Sequence, residues 1–292
     1  MIAFFISQFS CVQSIDSDLE SSPTKVMTQT VTIPSGTYTT GPPPLIKAPP
    51  HTKARTVTLT YNFAVSTTEG TLGEWLAVST TIPNQFCDNA PIHRLTLQHP
   101  IRCVSWCDVI QFANLKSKHD GFEPAYHFGK NANTLNHTVD CNERAQFVSL
   151  RHKSTGWRLP TEAEWEIASL TRSATQNTTV SSVNNQAWFV ENSNNMPHQV
   201  ATRAPNSNGL FDTQGNLHEW IWERFGDFEL TDPVDPITYD KPIPSTYTRP
   251  IKGGAFNSTT SNLTVYNRPN ASPSLRHPSI GFRLVRTLPS TE

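Results

Sequence analysis

Gly156-Trp157-Arg158-Leu159-Pro160-Thr161-Glu162-Ala163-Glu164-Trp165-Glu166-Ile167-Ala168 carries the clearest helix signal in the chain. Thr161 followed by Glu164 at the third helical position is a capping box, in which hydroxyl and carboxylate satisfy each other's backbone amides, so a helix starts here. Trp165 and Ala168 then share its inward face. Arg158, set among apolar residues, reads as the cation of a partly buried ion pair with Glu162, Glu164 or Glu166, and Arg283 reads the same way.

Upstream, Val31 to Tyr38 and Val57 to Phe63 alternate apolar and polar residues around a Pro-rich loop, which predicts two strands. Thr71 to Val78 and Ser105 to Leu115 place apolar residues at helical spacing, the second with Ser105 as N-cap and Asp108 in the capping-box position. Asp120 to Lys153 has weak periodicity and reads as loop. Beyond Ala168, Asn, Ser, Thr and Pro dominate, broken by aromatic patches around Trp188, Phe211, Trp220 and Phe256. Gly253-Gly254 and Gly281 predict close backbone approaches.

The chain has 292 residues with a net charge of -1, which favours a globular core and gives no electrostatic reason to hold nucleic acid. Residues 1–11 end an apolar run at Cys11 and read as a secretory signal with a lipid-modified cysteine, although no basic residue precedes the run; a plain apolar terminus is the alternative. Residues 12–30 read as a polar tether, 31–287 as the folded domain and 288–292 as a tail. Cys87, Cys103, Cys107 and Cys141 are an even set in a chain that looks exported, favouring two disulfides with three pairings open. Cys103 and Cys107 stand as half a zinc site, but no second pair at ligand spacing accompanies them.

Val31 to Thr37 (VTIPSGT), Phe63 to Trp75 (FAVSTTEGTLGEW), Val104 to Phe112 (VSWCDVIQF), the opening stretch, Pro205 to Trp220 (PNSNGLFDTQGNLHEW), Lys252 to Phe256 (KGGAF) and Gly281 to Val285 (GFRLV) occur in the order of one family. Together they resemble the formylglycine-generating enzyme, or sulfatase-modifying factor, family over residues 31–287, with Gly70 where a valine is expected. The resemblance implies an α+β fold: a loop-rich variant of the C-type lectin architecture, with a small twisted antiparallel sheet and flanking helices.

It also implies a calcium ion held by the Asp212 side chain, the Gly215 and Leu217 carbonyls and Glu219. Two carboxylates flanking a glycine turn offer the hard oxygen ligands calcium prefers, although Asp212 capping the turn and Glu219 pairing with an arginine is the bland reading of the same residues. A second calcium site of the family would fall near Asn184 to Asn194, where this chain is shortened, and is not expected.

The family oxidises a substrate cysteine with oxygen and a copper ion held by two cysteines, since soft thiolates select Cu(I). Counted from Gly253-Gly254, those positions are Ser258 and Leu263, neither of which replaces a thiolate, so no copper is expected. Ser258 with His218 and Asp212 lacks the elbow motif of a hydrolase. The leading expectation is a pseudoenzyme, exported to the periplasm or cell surface and anchored by its N-terminus, that binds a peptide, glycan or protein surface. His218, Ser258, Asn262, Tyr266 and Arg268 are the groove candidates, within or beside a loop (257–273) rich in Asn, Ser and Thr. The alternatives are an oxidoreductase with relocated metal ligands and a structural component of an envelope complex.

Overall fold

The computed structural model describes residues 28–42, 54–80, 83, 87, 95–128, 141, 148–170, 180–226, 233–237 and 247–289. Residues 1–11, including Cys11, lie outside them. Strand β1 (Thr30–Ile33) begins within the stretch read as tether, and Thr67 donates its amide to the Gln29 carbonyl, so the end of that stretch belongs to the fold.

The alternating run from Val31 to Tyr38 is two strands, because Pro34 and Ser35 turn the chain between β1 and β2 (Gly36–Thr40). The run from Val57 to Phe63 is likewise divided between β3 (Arg55–Leu59) and β4 (Phe63–Ser66). β4 is buried along its whole length as the middle of an antiparallel sheet ordered β1-β4-β11, with β11 at Val285–Thr287. β2 and β3 pair as a separate antiparallel ladder.

Helix α1 (Leu72–Val78) is capped by Thr71 and Glu74, and α2 (Trp106–Asp120) by Ser105 and Asp108, ending at Gly121 in the left-handed conformation that glycine adopts without a Cβ penalty. Asp120 to Lys153 is not all loop: β5 (Tyr126–Phe128) and β6 (Val148–Leu150) pair within it. Helix α3 (Glu162–Ser169) carries the predicted Thr161–Glu164 box, and α4 (Val180–Gln186) follows. A four-stranded sheet ordered β10-β7-β8-β9 is built from β7 (His218–Trp220), β8 (Arg249–Lys252), β9 (Asn270–Ala271) and β10 (Ile280–Gly281), with β10 parallel to β7.

One core packs α2 against Trp75, Trp220, Trp222 and Phe282, with Trp75 stacked on Phe112 at 4.6 Å. A second lies between β1, β3, β4, β11 and the Ala163-Ile167-Ala168 face of α3. The two are tied together where Arg158 and Val285 exchange backbone hydrogen bonds at 2.9 and 2.8 Å. At Gly281 a side chain would stand 2.8 Å from the Ile101 carbonyl, so only glycine lets β10 pass there.

Candidate functional site

The segment Asp212 to Glu219 folds as a tight turn running into β7. Asp212 takes φ 57°, uncommon for a residue with a Cβ, and its side chain is buried. Its Oδ2 accepts the Ala201 amide at 2.8 Å, while Oδ1 is buried with no hydrogen-bond partner. Burial, with the Glu219 carboxylate adding to it, pushes the Asp212 carboxyl up to about 6. Gly215 has φ 77°, and a Cβ there would lie 2.1 Å from the Trp188 carbonyl, so the turn admits no side chain. Among the described residues, nothing donates a hydrogen bond to the Gly215 or Leu217 carbonyl.

Glu219 is engaged. Arg283 donates Nε to both its oxygens at 3.1 Å and Nη2 to Oε1 at 2.8 Å, and Trp165 Nε1 donates at 2.6 Å. Arg283 thus pairs with Glu219 and not with a glutamate of α3, because its other donors reach the Ser66 and Phe211 carbonyls and fix the guanidinium on the β7 side. Arg158 does pair with α3, bidentate to Glu164 at 2.6 and 2.7 Å. Burial alone would raise Glu164, but the guanidinium outweighs it and holds the carboxyl at about 2.

The sequence reading missed Glu69. Its fully buried carboxylate accepts the Leu217 amide at 2.8 Å and Asn216 Nδ2 at 2.7 Å. Burial, then repulsion from Asp212 and Glu219, pushes its carboxyl well above the usual range. The signal available in sequence was an acid directly before Gly70 in an otherwise apolar and threonine-rich run. Three buried carboxylates therefore face one arginine, an excess of negative charge that a cation or bound protons must balance. The uncommitted Asp212 Oδ1 and two carbonyls are hard oxygen donors that fit calcium, and Glu219 fits only by sharing its carboxylate with Arg283. Among the described residues, no three His, Cys, Asp or Glu side chains are arranged to hold a metal ion, so a cation here depends on those carbonyls.

The Ser258 hydroxyl is buried and closes a turn: it accepts the Ala255 amide at 2.9 Å, while the Ser258 amide donates to the Ala255 carbonyl. Leu263 is 1% exposed and packs with Val183, Ala187 and Phe189, and its carbonyl accepts Gln214 Nε2 at 2.8 Å. Asn262 is exposed in a single 3-10 turn, and Tyr266 is half-buried. Arg268 is not a free groove cation: its Nε donates to both Glu162 oxygens at 2.8 and 2.9 Å, and it lies over Phe225. His218 is pushed down to about 4 by burial, so it is neutral at pH 7, and its Nδ1 has no partner.

Beneath this loop the glutamates of α3 turn inward. Lys252 Nζ reaches Glu166 at 3.0 Å and Glu162 at 3.5 Å, while Glu223 accepts the Glu162 amide at 2.9 Å and is pushed up to about 8 by burial and by Glu162.

The four cysteines form Cys87–Cys103 and Cys107–Cys141, which excludes the half-site for zinc. Among the described residues no helix is long and apolar enough to cross a membrane.

The family described as the sulfatase-modifying factor enzyme 1-like domain matches residues 16–288. The chain is 28% identical over 189 residues to the chaperone protein LppX of Paenibacillus barcinonensis, covering 58% of this chain and 64% of LppX. It is 30% identical over 140 residues to the serine/threonine-protein kinase pkn1 of Chlamydia pneumoniae, covering 46% of this chain and only 21% of the kinase. Among solved structures, Treponema denticola variable protein 1 superposes with a TM-score of 0.74 at 25% identity, covering 92% of this chain and 98% of that one. PvdO from Pseudomonas aeruginosa superposes with a TM-score of 0.69 at 24% identity, covering 92% and 97%. These likenesses bear out the α+β, C-type-lectin-like fold of the sulfatase-modifying factor type.

Proposed function

Because the chain belongs to the sulfatase-modifying factor enzyme 1-like family, we propose that it is an exported, non-catalytic member that binds a peptide, glycan or protein partner in the family's groove and carries a structural calcium ion. The single observation that carries this is the setting of Ser258 and Leu263. A copper oxidase of this family needs two thiolates. Here one of those positions completes an apolar cluster with Val183, Ala187 and Phe189, and the other closes a backbone turn. Both residues serve packing, and neither leaves an open coordination position.

Calcium would be held by Asp212 through its uncommitted oxygen and by the Gly215 and Leu217 carbonyls, with Glu219 shared between the ion and Arg283. When bound it would supply positive charge to an acidic pocket and stiffen the turn, with no redox chemistry. Partner binding is supported by the relative LppX, which is named a chaperone protein. It is supported also by the Asn, Ser and Thr of residues 257–268, which offer adaptable hydrogen bonds. Export is supported by the two disulfides, which persist in oxidising compartments. Cys11 would carry the lipid that anchors the chain to the periplasmic or cell-surface side of a membrane.

Elemental analysis and oxygen uptake on the purified chain test the reading. Bound calcium, with neither copper nor iron and no oxygen consumed in the presence of a cysteine peptide, is the expected result. Stoichiometric copper or iron with oxygen uptake overturns it.

A further inference from the structure

Asn216 sits between the two carbonyls assigned to calcium, and all its polar groups are committed. It is fully buried with φ 56°. Its Nδ2 donates to Glu69 Oε2 at 2.7 Å and to the His198 carbonyl at 3.2 Å, while Oδ1 accepts the His198 amide at 2.9 Å. Because a backbone amide only donates, the His198 contact to Oδ1 decides which way the Asn216 amide faces. The Asn216 amide donates to the Trp188 carbonyl at 2.8 Å, and its carbonyl accepts the Phe256 amide at 2.8 Å.

These bonds reach two segments. One is residues 188–198, whose Trp188 and His198 rings stack at 3.7 Å. The other is residues 255–258, joined to the first by Ser193 Oγ donating to the Phe256 carbonyl at 2.7 Å and by the Val190 amide donating to the Ser258 carbonyl at 3.1 Å. Glu69 comes from a different part of the chain and holds both Asn216 and the neighbouring Leu217 amide.

Resting on the calcium reading above, we infer that Glu69 and Asn216 are positioning residues that couple the cation turn to the start of the groove loop, so that cation binding orders residues 188–198 and 255–258 together. Asp212 Oδ1, buried and unpartnered, is the atom that ties this acidic cluster to a ligand. The Gly215 and Leu217 carbonyls cannot be drawn toward a cation without moving the residue between them. That residue carries the Trp188, His198 and Phe256 bonds, so the coupling runs through a contiguous set of hydrogen bonds. Partner affinity would then depend on calcium although calcium touches no partner, and by linkage the partner would tighten calcium.

Calcium titration calorimetry and hydrogen–deuterium exchange on the wild-type chain test this without any substitution. Saturating calcium is expected to slow exchange in peptides covering 196–200 and 254–258. No calcium binding by the wild-type chain overturns the cation reading and this inference with it. Binding with unchanged exchange in both peptides overturns the inference alone. Glu69→Gln, which offers Asn216 no second acceptor, is expected to weaken calcium roughly 10- to 100-fold. A folded Glu69→Gln protein that binds calcium at the wild-type affinity also overturns it.

Discussion

Arg158 and Arg283 are both fully buried, and each is tolerated because a carboxylate meets it in two-point contact and further oxygens take its other donors, Arg158 Nε alone of these being left without a partner. Removing one member of such a pair strands the other charge. Glu219→Gln is therefore expected to cost about 3–5 kcal/mol with or without calcium, measured by urea unfolding. That makes Glu219 a poor reporter of the cation. Asp212→Ala is the cleaner probe, because it deletes the unpartnered Oδ1 at the cost of one hydrogen bond, from the Ala201 amide to Oδ2; it is expected to abolish any calcium-induced rise in melting temperature, and a rise equal to wild type would remove Asp212 from the ligand set. Glu223 makes a separate claim. In the folded chain its carboxyl is pushed up to about 8, whereas an unfolded glutamate sits at about 4.3. Between these values the native state keeps a proton that the unfolded state has released, so this contribution to stability is present at low pH and is lost as pH rises to about 8. Melting temperature across that window should fall less steeply for Glu223→Gln than for wild type; equal slopes would refute the buried-acid assignment.

Helix α3 shows how far local chemistry reaches and where it stops. The Thr161–Glu164 box predicted its start, and Thr161→Ala is expected to cost about 1 kcal/mol, up to about 2, read as a lower denaturation midpoint at constant slope. An unchanged midpoint would mean the cap is redundant with packing. The Ser105–Asp108 box was equally legible, because a cap is a contact between residues three apart. Burial of α3 on all sides was not: Glu162, Glu164 and Glu166 read as alternative partners of one partly buried ion pair, yet all three point inward, to Lys252, Arg268 and Arg158. Those cations arrive from β8, from the loop after Leu263 and from the residues just before the helix, and no periodicity announces them. The broken strands failed differently. Alternation marks the two faces of a strand, and its break is brief: the inward positions are Val31 and Ile33 in β1 and Gly36, Tyr38 and Thr40 in β2, a shift of one residue across the exposed Pro34 and Ser35.

Over the whole chain, what was legible was what recurs in order: short motifs whose succession implied the architecture before any contact was known. What was illegible is what only closure of the chain creates, such as the meeting of Arg283 with Glu219, of Glu69 with Asn216, and of each cysteine with its partner. The disulfides show closure at the largest scale. Cys107 in the first turn of α2 joins Cys141, whose sulfur lies 3.1 Å from the Pro273 carbonyl, and Trp106 donates its amide to that carbonyl at 3.0 Å. This bridge therefore buttresses the far end of the 257–273 segment as well as restricting the unfolded chain. Closing a separation of 34 residues is worth about 4 kcal/mol in chain entropy, against about 3 kcal/mol for the separation of 16 at Cys87–Cys103. Replacing Cys107 and Cys141 by serine should accordingly destabilise the protein more than replacing Cys87 and Cys103, and should speed proteolysis between residues 257 and 273. Equal losses from the two double variants, with cleavage there unchanged, would show that the bridge acts on the unfolded chain alone and that the loop is held by Arg268 and the Ser258 turn without it.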